Sequence, residues 1–229
     1  MLALGAALPH RAAAQGLSVD PVVIALPPGK QAGTLRLRNG GDKEQVVQLR
    51  AFIWQQGVDG RDQLAPTEDV VIGPPLVRLG AGKEQVVRVL LRAPAATERA
   101  YRIVADRLPQ APRGGEVQVH LTLSLPLFAG VQRRKGPAPE WRIQADNGTR
   151  FLTLRNRGGS HLRIDSLAVR TGGGGYVEIP SNGSRYVLAD GERRWPVPAA
   201  IATAPGQAVQ VRVKTQGRTV ETTVSHPSE

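Results

Sequence analysis

The chain contains no cysteine, which excludes disulfides, thiolate metal sites and a cysteine nucleophile. Aromatic residues are also scarce, at 4% of 229 residues. The formal net charge is +11, and nucleic acid is the reflex partner for so basic a chain. No aromatic-interleaved basic patch is present to stack bases, so nucleic acid is not expected. A basic surface that receives acidic proteins, or one adapted to a basic proteome, fits better. No apolar run approaches the ~18 residues of a membrane span, so membrane insertion is not expected either. A sustained 3.6-residue apolar period is missing as well, which argues against helices.

What the chain does have is glycine (26), proline (18) and valine in short runs between turn residues. That pattern predicts an all-β protein, and the length suffices for two ordinary domains. Two echoes support a duplication. Leu35-Arg36-Leu37-Arg38-Asn39-Gly40-Gly41 is answered by Leu152-Thr153-Leu154-Arg155-Asn156-Arg157-Gly158-Gly159. Gly82 to Val89 is answered by Gly206 to Val213. Internal similarity of this kind predicts two immunoglobulin-like β-sandwiches in tandem.

Strands are expected near 18–26, 32–38, 45–55, 68–72, 84–92, 100–107 and 116–128. In the second half they are expected near 140–145, 150–155, 161–170, 175–179, 184–188, 208–214 and 218–224. The charged, Gly- and Pro-containing stretch 132–139 reads as a linker, leaving an N-terminal domain at 17–131 and a C-terminal one at 140–229. Residues 1–16 hold a short apolar run followed by Ala12-Ala13-Ala14. They read as a truncated signal peptide whose basic start is supplied by a longer reading frame.

The most regular stretch is Val117 to Phe128. Val117, Val119, Leu121, Leu123 and Leu125 fall on one side, and Gln118, His120, Thr122 and Ser124 on the other. This period of two marks a strand with one apolar face, longer than the usual 5–6 residues. Its apolar row serves either the domain's own core or another protein.

Screening for chemistry finds no catalytic constellation. The four histidines lack metal-ligand spacing, so no metal is expected. His161 and Asp165, on one expected strand, stand about 13 Å apart, too far for a triad with Ser160. Asp59 and Asp62 read as turn residues rather than a calcium loop. Gly172 to Gly175 is read as a hairpin loop, since no Lys-Ser/Thr or helix follows to make a phosphate cradle. No cofactor and no enzymatic activity are expected.

Taken together the motifs resemble the periplasmic chaperones of the chaperone–usher pathway. The resemblance runs from about Leu17 to Val224 and rests on several segments in family order. These are Leu35 to Asn39, Phe52-Ile53-Trp54, Ile72-Gly73-Pro74-Pro75, Leu79 to Arg88, Glu98 to Arg102 and Leu121 to Phe128. Tyr101-Arg102, Leu125 to Phe128 and Tyr186 through Pro196 look like the archaic branch, which accompanies fimbrial or spore-coat-like subunits. The resemblance implies that the strand from Val117 is lent to a pilus subunit lacking its last strand, and that an outer-membrane usher then receives the subunit.

It also implies a basic anchor for the subunit's terminal carboxylate, yet the family's two positions here are near Val23 and at Pro126. Arg102, Arg88 or the Arg133-Arg134-Lys135 cluster are the candidate substitutes. Glu98 matches a family position that salt-bridges the two domains, or is simply solvated. The competing readings are a two-domain adhesive or structural surface module and a basic polyanion binder.

Overall fold

In a computed structural model, which describes residues 16–57, 60–109, 121–132, 136–180, 183–201 and 207–225, the alternating segments become strands. In the first half they are β1 (Leu17–Asp20), β2 (Ile24–Leu26), β3 (Ala32–Asn39), β4 (Gln45–Gln56), β5 (Asp62–Pro66), β6 (Val70–Gly73), β7 (Leu76–Leu79), β8 (Glu84–Leu91), β9 (Arg99–Arg107) and β10 (Thr122–Ala129). The second half has β11 (Pro139–Asp146), β12 (Thr149–Asn156), β13 (Leu162–Arg163), β14 (Ser166–Thr171), β15 (Val177–Glu178), β16 (Tyr186–Val187), β17 (Glu192–Pro196), β18 (Ala208–Thr215) and β19 (Arg218–Ser225).

The strands form two immunoglobulin-like sandwiches in tandem. In the first, a sheet ordered β1-β3-β8-β6 faces one ordered β2-β10-β9-β4-β5, with β7 also paired to β4. In the second, β11-β12-β17 and the small pair β13-β16 face β15-β14-β18-β19. One core draws on residues from Leu17 to Ala129 and the other on residues from Ile143 to Val224. Alternation explains both. Along β3, Leu35 and Leu37 are fully buried while Arg36 and Arg38 point outward, each buried leucine contributing about 1.5–3 kcal/mol. Outward strand positions are also where the arginines spread, so they pair piecemeal, as in Arg36–Glu84 and Arg78–Glu44.

Several boundaries differ from the sequence expectation. The segment expected near 18–26 divides at Pro21 into β1 and β2, which belong to opposite sheets. The strand expected near 161–170 breaks into β13 and β14, so His161 precedes the first and Asp165 sits between them. Strands β5, β7 and β17 were not expected. Residues 1–15, Val117, Val119 and Arg133 to Lys135 lie outside the described residues.

The echoed Asn-Gly motifs have the same task in each half. Asn39 is fully buried at the end of β3. Its Nδ2 donates toward the carbonyls of Lys43 (2.7 Å), Leu79 (3.0 Å) and Gly80 (3.1 Å), and its Oδ1 accepts from the Gly41 amide (2.9 Å). Asn156, equally buried at the end of β12, donates to Ser160 (2.8 Å), Val187 (3.3 Å) and Leu188 (3.0 Å) and accepts from Gly158 and Ala138 (3.0 Å each). Each asparagine thus closes a turn and ties it to a distant strand end. Asn39→Ala and Asn156→Ala each strand several buried carbonyls and should each lower unfolding free energy by about 1–3 kcal/mol in urea titrations.

Candidate functional site: an open strand edge beside the cleft

Strand β10 is bonded along its whole length on one side and only partly on the other. Against β9 it runs antiparallel from Thr122↔Asp106 to Ala129↔Arg99. On its other side β2 covers only Leu127 to Ala129, in parallel register with Ile24 to Leu26. Among the described residues no strand borders Thr122 to Pro126 on that edge.

The Arg107 amide donates to the Leu121 carbonyl at 3.0 Å, and this fixes the phase of the ladder. In an antiparallel pair bonded and non-bonded rows alternate, so Leu121, Leu123 and Leu125 turn their backbone groups toward β9. Thr122 and Ser124 turn theirs to the open edge, where Pro126 presents a carbonyl and no N–H.

The side chains follow the same phase. Leu125 is buried in the first domain's own core, and Leu121 and Leu123 are half-buried against it. Leu125 thus packs within its own domain in the free chain, and Leu121 and Leu123 each keep part of their surface exposed.

The other face of the sheet looks into the cleft between the domains. Trp54, Phe128 and Leu188 form a small apolar cluster there, flanked by Val23, Ala100, Val131 and Tyr186. Glu98, its side chain only 2% exposed, reaches across to His161. Its Oε1 accepts the His161 backbone N–H at 2.6 Å, and both carboxylate oxygens lie 3.0 Å from the ring Nδ1. The imidazole stacks on Phe128 with ring centroids 3.5 Å apart and planes 9° apart. Gln56 makes a second crossing, donating to the Tyr186 carbonyl (2.8 Å) and accepting from the Leu188 amide (3.0 Å).

Arg102 lies in the same cleft, across the ladder from Pro126. Its guanidinium sits 3.7 Å from the Trp54 ring centroid, donates to Ser184 Oγ at 3.2 Å and stands 3.9 Å from Asp62 Oδ2. From the second domain Arg193 Nη1 comes to 3.7 Å from Asp62 Oδ1. Burial holds both guanidiniums below the ordinary arginine value, while Asp62 pulls each back up. Both remain cationic at neutral pH.

Arg88 is elsewhere: it is exposed on β8, in the opposite sheet, flanked by Thr34 and Gly73. The structure therefore brings Arg102 into the cleft and leaves Arg88 outside it. Arg193 carries no signal in the sequence, and His161 and Asp62 read there as residues without a site role. Asp62 looked like a turn residue because both of its arginine partners are distant in the chain.

Residues 16–130 match the family model described as pili and flagellar-assembly chaperone, PapD N-terminal domain. No curated protein matches the chain. A chain in the crystal structure of the CsuC–CsuE chaperone–tip adhesion subunit pre-assembly complex, from archaic chaperone-usher Csu pili of Acinetobacter baumannii, superposes with a TM-score of 0.69 at 19% identity, covering 92% of this chain and 99% of that one. The Salmonella enterica SafA pilin–SafB chaperone complex gives 0.63 at 16% identity, with 90% and 95% covered. The E. coli chaperone DraB gives 0.59 at 21% identity, with 93% and 97% covered.

The crossing at Glu98 yields a prediction. Glu98→Ala orphans the His161 amide and should cost about 1–3 kcal/mol of stability. Glu98→Gln keeps an acceptor for that amide and should cost less. Denaturant unfolding of the two variants side by side checks the order.

Proposed function

This chain belongs to the pili and flagellar-assembly chaperone family, and on that premise we propose that it is a periplasmic chaperone of an archaic-type pathway that completes pilus subunits with its own strand. Its partners are fimbrial or spore-coat-like subunits, which it passes to an outer-membrane usher. Residues 1–16 are its leader, 17–131 the subunit-binding domain, 132–139 the linker and 140–229 the second domain. The donor strand carries Val117, Val119, Leu121, Leu123 and Leu125, the last two within β10.

The observation that carries this reading is the open edge at Thr122 to Pro126. A sheet edge offers a row of unmet donors and acceptors to an incoming strand, and alternate side chains fill that partner's pockets. Each Val or Leu removed from water in this way contributes about 1.5–3 kcal/mol. A subunit that lacks one strand of its fold supplies both the pockets and the complementary edge. Arg102, the cleft arginine in the row of Pro126, is our candidate for the carboxylate anchor in place of the non-basic Val23 and Pro126.

Because Leu121 and Leu123 also support their own core, a charge at either position perturbs the free chain as well as the complex. Ser124→Pro separates the two effects. The Ser124 amide faces the open edge, so proline there spares the ladder to β9 and removes one donor from the incoming strand. The free variant should keep its melting temperature within a few degrees. Its affinity for a subunit encoded beside it should fall about tenfold, the factor one lost hydrogen bond and a disturbed edge supply. Full binding by the variant would contradict strand lending at this edge.

A further inference from the structure

We propose that Asp106 is a positioning residue for the lent strand: it holds the Thr122 side chain, and through it aims the backbone groups of Thr122 at an incoming strand. The inference rests on the chaperone reading for the identity of that incoming strand, which a pilus subunit supplies.

Three observations carry it. First, the grip of the core on β10 fades toward the strand's start. Leu125 to Ala129 are all buried, whereas Leu121 and Leu123 are half-buried and Thr122 and Ser124 exposed. Strand β2 covers only Leu127 to Ala129. Pairing is least firmly specified where neither face of a strand is buried, so the first rows of β10 draw little order from packing.

Second, the backbone supplies no bond to β9 in the row of Thr122. Thr122 stands opposite Asp106, and the Arg107–Leu121 bond sets a phase in which the Thr122 N–H and C=O point to the open edge. In such a row the two side chains approach most closely.

Third, side-chain bonds span three strands at that row. Thr122 Oγ1 donates to Asp106 Oδ1 at 2.7 Å, and Arg50 Nη2, from β4, donates to Asp106 Oδ2 at 2.6 Å. The Asp106 side chain is 11% exposed and that of Arg50 52%. A buried carboxylate is costly unless paired and hydrogen-bonded, and charge-assisted bonds of this length are the strong ones. Arg50 thus ties Asp106 to the middle of the sheet, and Asp106 extends the tie to β10.

The consequence falls on the open edge. Thr122 is β-branched and has few side-chain rotamers, so a bond from its hydroxyl to a fixed carboxylate fixes the residue as a whole. The N–H and C=O that Thr122 presents to a partner are then in place before the partner arrives, which removes part of the ordering cost of binding.

NMR on the full chain tests the positioning without a subunit. Thr122→Val keeps the side chain's shape and removes the hydroxyl. That variant and Asp106→Ala should each speed exchange of the Leu123 amide about tenfold, the factor of one lost hydrogen bond. The Leu125 and Leu127 amides and the melting temperature should stay near the wild-type values. Side-chain couplings of Thr122 should report one rotamer in the wild type and averaging in Asp106→Ala. Thr122→Ser, which restores the hydroxyl, should exchange at Leu123 within about twofold of the wild type. Affinity for a subunit encoded beside the chain should fall about tenfold in each single variant. The double variant should bind no more weakly than either, because Asp106 acts through Thr122.

If the Leu123 amide keeps its protection in both single variants, or if all amides of β9 and β10 lose protection together, Asp106 is not a positioning residue. Faster exchange at Leu123 with unchanged subunit affinity overturns the proposal as well. Should Asp106→Ala fail to fold, Thr122→Val beside Thr122→Ser decides the matter. Subunit capture by the wild-type chain is scored separately. Its failure overturns the chaperone reading while the exchange result stands, and unchanged exchange beside normal capture overturns only the role of Asp106.

Discussion

The antiparallel ladder between β9 and β10 is the constraint on which the rest of the structure depends. Its phase, set by the Arg107–Leu121 bond, assigns each residue of β10 two directions at once. Leu123, Leu125 and Leu127 send side chains into the core and backbone groups to β9. Thr122 and Ser124 send backbone groups to an edge that β2 does not reach. A slip of one residue would reverse every assignment, moving the leucines to the cleft and closing the polar row into the core. Core packing therefore holds the open edge in register.

That phase also builds the cleft. Pro126 and Phe128 are forced to the outward face, where Phe128 meets His161 of the second domain and Pro126 lies in the row of Arg102. The contact between domains is mixed: three buried apolar residues, a stacked imidazole, a carboxylate and a glutamine, with Arg102–Ser184 and Asp62–Arg193 beside them. Glu98 and Gln56 give it specificity, because each is matched to backbone atoms of the second domain. Such a contact orients two domains without fusing them.

Much of the fold was legible in the sequence because alternation is a local signal. Leu35 and Leu37 on β3, or Val211 and Val213 on β18, identify their strands and their buried faces within a few residues. Asn39 and Asn156 were legible as markers of a duplicated turn. Their role as buried donors was not, since Leu79 lies 40 residues from Asn39 and Leu188 lies 32 from Asn156. Strand β5 exposes all five of its residues and so carries no alternation to read. The site was half-legible for the same reason. Glu98 and Arg102 stood out through the family resemblance, whereas His161 and Asp62 reach partners 63 and 131 residues away in the other half of the chain.

Amide hydrogen exchange on the chain with and without a pilus subunit tests the central claim most directly. In the free chain Leu123 and Leu125, bonded to β9, should exchange slowly, and Thr122 and Ser124 should exchange fast. On subunit binding Thr122 and Ser124 should become protected to the level of their neighbours. A stable complex in which these two amides stay as exposed as before would contradict the account, because the subunit would then be held somewhere other than the open edge of β10.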